Sequence, residues 1–320
     1  MIKTEKLKIK SDFDGLELGV ILTAPQTEPT GILQLNHGMC EHKERYLPFM
    51  KFLSANGFIC IIHDHRGHGE SIRDKDDLGY FYENGDEAAV EDCHQINTYI
   101  KSIYPSLPIY LFGHSMGSLI VRVYTKKYDN DIQGLIVCGS PSKNFFALPA
   151  RKILEELMPI RGEKFRSEKL EQLLLGIFNK GIENPLSPNS WICSDENVVK
   201  EYDNDELCGF CFTLNGFHAL FELMNKTYSN KGWEVKNPSM PVYFISGWED
   251  PCRTDDKSFI SAVSHMRNIG YKNIDLKLYG GARHEILNEK IKDKVYRDIL
   301  VWLKLNTKKL NAAELSKNIN

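Results

Sequence analysis

The pentapeptide Gly113-His114-Ser115-Met116-Gly117 constrains the fold of this chain more than any other feature. It follows a short apolar run at 109–112 and opens an amphipathic stretch at 116–128, so the pattern predicts strand, sharp turn and helix. Such a turn brings strand and helix close together, and glycine at 113 and 117 removes the bulk that would hold them apart. Ser115 is then presented above the carboxyl edge of a sheet, over a helix N-terminus, which is the setting of a nucleophilic serine.

The rest of the chain has the same rhythm. Short apolar runs at 7–9, 16–22, 31–35, 58–63, 109–112, 132–137, 242–245 and 274–278 read as strands, most of them apolar on both faces as buried parallel strands are. Helical patterns fall at 46–55, 87–103, 116–128, 257–269 and 291–305. The alternation predicts an α/β fold with a mostly parallel sheet. Residues 142–237 break the rhythm: helix-like pieces at 147–157, 168–177, 198–202 and 217–224 are separated by Pro159, Gly162, Gly181, Pro185 and Pro188. They read as a helical cap inserted between two strands. The core is then 1–141 plus 238–306, and the polar tail from Thr307 is expected to fray.

Composition narrows the class. A net charge of −3 across 320 residues offers no basic excess for nucleic acid, and 26% charged residues balanced in sign do not make a disordered chain. Eight cysteines are too few for a disulfide scaffold. The charged start at 1–10 lacks the apolar stretch of a signal peptide, and no apolar run reaches the ~18 residues of a spanning helix. The expectation is a cytoplasmic protein with reduced thiols, with room for transient membrane-surface contact through the cap.

A serine hydroxyl needs a base. In a fold of this kind the order is serine, acid, histidine, which leaves His218, His265 and His284. His218 falls in the cap and His265 inside a helix, whereas His284 follows the strand at 274–278, where ligands gather in open α/β sheets. The run His284-Glu285-Ile286-Leu287-Asn288 resembles a zinc motif but ends in asparagine, and no metal is expected. The strand at 242–245 runs into Glu249 and Asp250, and Asp250, fixed by Pro251, is the favoured acid. The backbone N–H of Met116 is one oxyanion donor, and that of Met39, in the loop Asn36-His37-Gly38-Met39-Cys40, is the candidate second.

At this point the sequence resembles the α/β-hydrolases of the monoacylglycerol lipase and lysophospholipase family. The matching residues are His37-Gly38-x-x-Glu41-His42-x-x-Arg45-Tyr46, Asp64-His65-Arg66-Gly67-His68-Gly69-x-Ser71, the pentapeptide around Ser115, Gly247-x-x-Asp250 and His284. They cover residues 10–305 in the family's order. The resemblance implies an eight-stranded core, a helical cap between strands six and seven, Ser115–Asp250–His284 as the triad, and ester hydrolysis without a cofactor. It implies as substrate a small-molecule or monoacyl lipid ester. Acyl transfer, amide cleavage or short-chain ester hydrolysis on the same triad, and a non-catalytic binding module, are the rivals.

Some residues read two ways. The histidines at 63–68 suit a metal site or, more plainly, a turn held by Asp64 and Arg66. Cys208 and Cys211 have redox or zinc spacing without a second pair and read as packing, as does Cys40. Phe145, Phe146, Phe210, Phe212, Phe217 and Phe221 make the cap aromatic, with Phe145, Phe146 and Phe217 expected to line an acyl pocket. Glu41 and Arg45 read equally as a loop salt bridge or as contacts to a polar head group.

Overall fold

A computed structural model describes residues 2–144 and 146–317. Eight strands form one sheet: β1 (Lys3–Lys10), β2 (Glu17–Ala24), β3 (Gly31–Asn36), β4 (Phe58–His63), β5 (Ile109–His114), β6 (Gly134–Cys138), β7 (Pro241–Gly247) and β8 (Asn273–Tyr279). Their spatial order is β1-β2-β4-β3-β5-β6-β7-β8. β2 pairs antiparallel with both β1 and β4, and all the other pairings are parallel. The helices in chain order are α1 (Leu47–Ala55), α2 (Gly85–Ile103), α3 (Met116–Tyr128), α4 (Ala147–Arg161), α5 (Glu168–Leu175), α6 (Glu196–Asn204), α7 (Leu214–Tyr228), α8 (Asp256–Ile269) and α9 (Lys292–Lys317).

The apolar runs explain the layering. β3, β4, β5 and β6 are buried along their whole length, because helices cover both faces of the sheet. Leu33 and Leu35 of β3 join a core with Phe49 and Leu53 of α1 and Val295, Ile299 and Leu303 of α9. Ile32 points the other way, into a core with Ile96 of α2, Ile120 of α3 and Val263 of α8. Gln34, buried on that same side, donates to Cys93 O at 2.8 Å and accepts from Asn97 at 3.0 Å, so its amide is satisfied.

Two expectations need correction. β8 is not buried on both faces: it ends the sheet, Leu276 is 41% exposed, and Lys277 at this edge pairs with Asp298 at 2.6 Å. The tail from Thr307 is not frayed at its start, because α9 runs on to Lys317. The helical pattern is lost at Asn306 and Thr307, yet both are buried. Asn306 donates to Trp302 O and Thr307 to Leu303 O, each at 2.9 Å, so these polar side chains satisfy themselves on the preceding turn.

The chain reverses its direction of travel across the sheet between β3 and β5, which lie side by side with Asn36 opposite Gly113. The loops leaving these two strands therefore meet at the carboxyl edge, the place where an open α/β sheet binds ligands. α4 to α7 lie between β6 and β7, with α7 packed on α4, α3 and α2.

Candidate active site

Ser115 sits between β5 and α3 with φ 52° and ψ −118°, a strained conformation for a residue with a side chain. Its N–H donates to Cys138 O at 2.9 Å, which ties the turn to β6. A Cβ at position 113 would overlap the Gly117 carbonyl, and one at 117 would overlap the Asn36 carbonyl. Both glycines are thus required by close approach, and the strain on Ser115 is held by packing on either side.

His284 and Asp250 come together from the ends of β8 and β7. His284 Nδ1 donates to Asp250 Oδ1 at 2.9 Å, which leaves Nε2 as the acceptor nitrogen, in a long hydrogen bond of 4.0 Å with Cys252 Sγ. Ser246 Oγ and the Cys252 N–H also donate to Asp250, at 2.7 and 2.9 Å. Burial alone would depress the imidazole, but the Asp250 carboxylate outweighs it and raises His284 well above the usual 6.5. Burial likewise opposes the Asp250 charge, and His284 with the other donors wins, holding the carboxyl below its ordinary value. Glu249 is exposed, and its N–H donates to Ala282 O at 3.0 Å. Asp250, not Glu249, meets the histidine.

The loop after β3 is held from several sides. The Gly38 N–H donates to Glu41 Oε1 at 2.6 Å and the Cys40 N–H to His68 Nε2 at 3.2 Å. The Met39 N–H between them has no acceptor among the described residues. Glu41 also accepts from Tyr46 Oη at 2.8 Å and from Arg45 Nη1 at 2.7 Å. Arg45 then reaches Glu285, the residue after His284, with two bonds at 2.7 and 2.6 Å. The guanidinium lies 4.9 Å from the centre of the Tyr202 ring, and Tyr202 Oη donates to Cys40 O at 2.7 Å. Arg45 therefore joins the loop after β3, the histidine loop and the cap.

A cavity of about 140 Å³ opens between the cap and these loops. Ser115, His284, Met39 and Met116 all line it. Of the residues expected to contact substrate, Phe217 and Glu41 are on its wall. Arg45 is not: it lines a smaller adjacent cavity and is engaged by two carboxylates, so the loop salt bridge is the reading the geometry favours over a free head-group contact. Phe146 is not a wall residue either, since it precedes α4 with 78% of its surface exposed. Phe145 lies outside the described residues. The sequence reading missed Trp191, whose ring centre is 4.9 Å from that of His284, and Glu171 of α5. It also missed the full stripe of α7. Phe217, Leu220, Phe221 and Met224 recur at helical spacing, and that period was the available signal.

The histidine-rich segment is a structural turn. Asp64 accepts from the Lys43 and Glu70 N–H groups at 2.8 Å each and from Lys43 Nζ at 2.6 Å, while Arg66 pairs with Asp92 at 2.8 Å. The His65 N–H donates to His37 Nε2 at 2.9 Å, so the histidines brace the back of the loop that carries Met39. Cys208 is buried in a small cap cluster with Tyr202 and Ile192, and Cys40 Sγ donates to Phe210 O at 3.0 Å.

Sheet order, serine turn and histidine–carboxylate pair define a hydrolase of the α/β class. Residues 27–291 match the family described as serine aminopeptidase, S33, and the chain belongs to that family, among its monoacylglycerol lipase-like members. It is 26% identical over 285 residues to a monoglyceride lipase homolog of Monkeypox virus, covering 87% of this chain and 91% of that protein. It is 29% identical over 303 residues to the monoglyceride lipase of Mus musculus, covering 91% and 88%. Among solved structures it superposes on a thermostable carboxyl esterase from Bacillus coagulans, in complex with glycerol, with a TM-score of 0.88, 28% identity and coverage of 95% and 99%.

Proposed function

We propose that this chain hydrolyses carboxylic esters of the monoacylglycerol type through an acyl-enzyme on Ser115. The observation that carries the reading is the His284–Asp250 pair at 2.9 Å sharing one cavity with the strained Ser115. In the first half-reaction Ser115 Oγ attacks the ester carbonyl carbon while His284 Nε2 takes its proton. The N–H groups of Met39 and Met116 receive the negative charge on the former carbonyl oxygen. The C–O bond to the alcohol then breaks, and His284 returns the proton to the departing alcohol oxygen. Water repeats the sequence on the acyl-enzyme, with His284 as base, and releases the fatty acid. Every step uses side chains or amides of this chain.

The apolar wall of Leu174, Phe217, Leu220, Phe221 and Met224 suits one acyl chain, and the narrow cavity disfavours a triacylglycerol. Lysophospholipids share the monoacyl design and belong to the same proposal. Among the described residues no helix is long and apolar enough to cross a membrane. Phe146, Ile160 and Leu173 of the cap, 78%, 77% and 72% exposed, support transient contact with a lipid surface that delivers the ester. A cytoplasmic setting belongs to the proposal and rests on the eight cysteines, all of them free thiols.

The test is turnover of a medium-chain monoacylglycerol by purified protein, with fatty acid and glycerol measured as products. Loss of that turnover in Ser115→Ala supports the reading, and retained turnover ends it. Added methanol separates hydrolysis from acyl transfer, since a transferase makes the methyl ester as its main product.

A further inference from the structure

At the seam between the cap and the loop after β3, three side chains of different chemistry converge. His42 is in that loop, and Asp205 and Cys208 belong to the turn that follows α6. The Cys208 N–H donates to Asp205 O at 2.9 Å and closes that turn. One donor atom from each of the three, a ring nitrogen, a carboxylate oxygen and a thiol sulfur, lie within 4.8 Å of one another. His42 Nε2 meets Asp205 Oδ2 at 2.9 Å, across 163 positions of the chain. The other ring nitrogen, Nδ1, is held by Glu44 Oε2 at 2.9 Å, and Glu44 is anchored in turn by Lys6 at 2.9 Å. A carboxylate on the far nitrogen is the common support of a metal-binding histidine, since it fixes the ring and leaves Nε2 for the ion. His42 and Cys208 are buried, whereas the Asp205 side chain is 35% exposed and lines an open groove along α6, so an ion can enter from that side.

We infer that His42, Asp205 and Cys208 form a binding site for a zinc-type ion, completed by water, which ties the cap to the loop that carries Met39. One nitrogen, one oxygen and one sulfur donor suit the tetrahedral chemistry of Zn²⁺, and the thiol disfavours Mg²⁺ and Ca²⁺, which take oxygen. The ion takes the place of the proton between His42 Nε2 and Asp205 and of the Cys208 thiol proton, and both protons leave to solvent. Glu44 keeps the proton on Nδ1. Cys211 is not part of the cluster, so the site does not arise from the spacing of the two cap cysteines. Its consequence is mechanical. Cap and loop already meet where the Gly209 N–H and Tyr202 Oη both donate to Cys40 O, at 3.0 and 2.7 Å. A metal bridge at His42, next to Glu41, adds a stronger tie and makes the stability of the capped protein depend on zinc. The site stands apart from the ester-hydrolase reading, because none of its ligands touches Ser115, Asp250 or His284.

Titration of the full chain with Co²⁺ and Zn²⁺ tests this without depending on turnover. The protein is stripped with a chelator, dialysed into a thiol-free reductant and titrated with Co²⁺, and the sulfur-to-cobalt charge-transfer band that a thiolate ligand produces is followed. Wild type is expected to reach the full band at one equivalent of Co²⁺. Zn²⁺ should bleach it, and an excess of Mg²⁺ should not. Cys208→Ser should lose the band, and Glu44→Gln should weaken Zn²⁺ binding by about 10–100-fold. Cys252→Ser, which removes the thiol beside His284, should keep the band. Thermal unfolding is then compared within each protein with and without Zn²⁺, so that a general loss of stability does not mimic loss of the site. Zn²⁺ should raise the midpoint of wild type and leave those of Cys208→Ser and Asp205→Asn in place. Absence of the band in wild type overturns the site. So does a band that survives Cys208→Ser, or one that disappears in Cys252→Ser, which would put the ion on the triad histidine instead.

Discussion

The backbone N–H of Gly38 donates to Glu41 Oε1 at 2.6 Å, closing a three-residue loop onto its own side chain. The bond turns the peptide so that the next amide, Met39, is left without an acceptor among the described residues, on the wall of the cavity that Ser115 shares. Glu41 is in turn held by Tyr46 and Arg45. The carboxylate thus works through the backbone it orients and need not touch substrate.

Glu41→Ala is expected to lower kcat by about 10²-fold or more, the scale of one lost oxyanion donor, with a smaller change in KM. Glu41→Gln keeps an acceptor for Gly38 and should fall between. Steady-state kinetics on one monoacyl ester distinguish this from a head-group contact, which would appear mainly in KM.

Arg45 separates two buried carboxylates, Glu41 and Glu285. Arg45→Met leaves them facing one another without a counter-charge, and a loss of about 3–5 kcal/mol is expected. Urea unfolding measures it. A loss below about 1 kcal/mol would mean that the pair behaves as an ordinary exposed salt bridge.

The pH profile follows from Asp250. Catalysis needs neutral His284, and Asp250 raises the pKa of that imidazole above 6.5. Activity should therefore fall as the pH drops through a midpoint above the ordinary histidine value. Asp250→Asn removes the raising charge: the midpoint moves down, and the rate falls by about 10⁴-fold if the pair behaves as in other triads. Glu249→Gln should leave both near wild type, since Glu249 is exposed and touches neither partner. A profile with its midpoint well below 6.5 in wild type would contradict the pairing.

Much of this site was legible because its residues are sterically demanded within a few positions of one another. Gly113 and Gly117 have no room for a Cβ, and the apolar run before them leaves only a strand, so the serine turn is readable from local sequence alone. The order of acid and histidine after strands is a second local signal. The Arg45–Glu285 contact joins positions 240 residues apart and has no local signature. Phe146 looked like a wall residue by type, but its orientation depends on how α4 lies on α7, which no periodicity in that segment encodes. The true length of α9 was hidden because Asn306 and Thr307 are buried polar residues that cap their hydrogen bonds internally.

On the proposed reading, the α7 stripe that lines the cavity sets the acyl preference. Each buried methylene contributes about 0.8 kcal/mol, so two more carbons should raise kcat/KM by about tenfold until the cavity ends. A series of p-nitrophenyl esters from acetyl to decanoyl should show that rise, and Phe221→Trp should move the optimum to shorter chains, since Phe221 is on the wall. A steady decline beyond acetate would instead identify a short-chain esterase.

The central claim is that Ser115 forms the acyl-enzyme. Intact-mass and peptide-mapping spectrometry after treatment with a fluorophosphonate tests it most directly. The account predicts one adduct per chain, located on Ser115 and absent from Ser115→Ala. Labelling of another serine, or a wild-type protein that takes up no label, would contradict it.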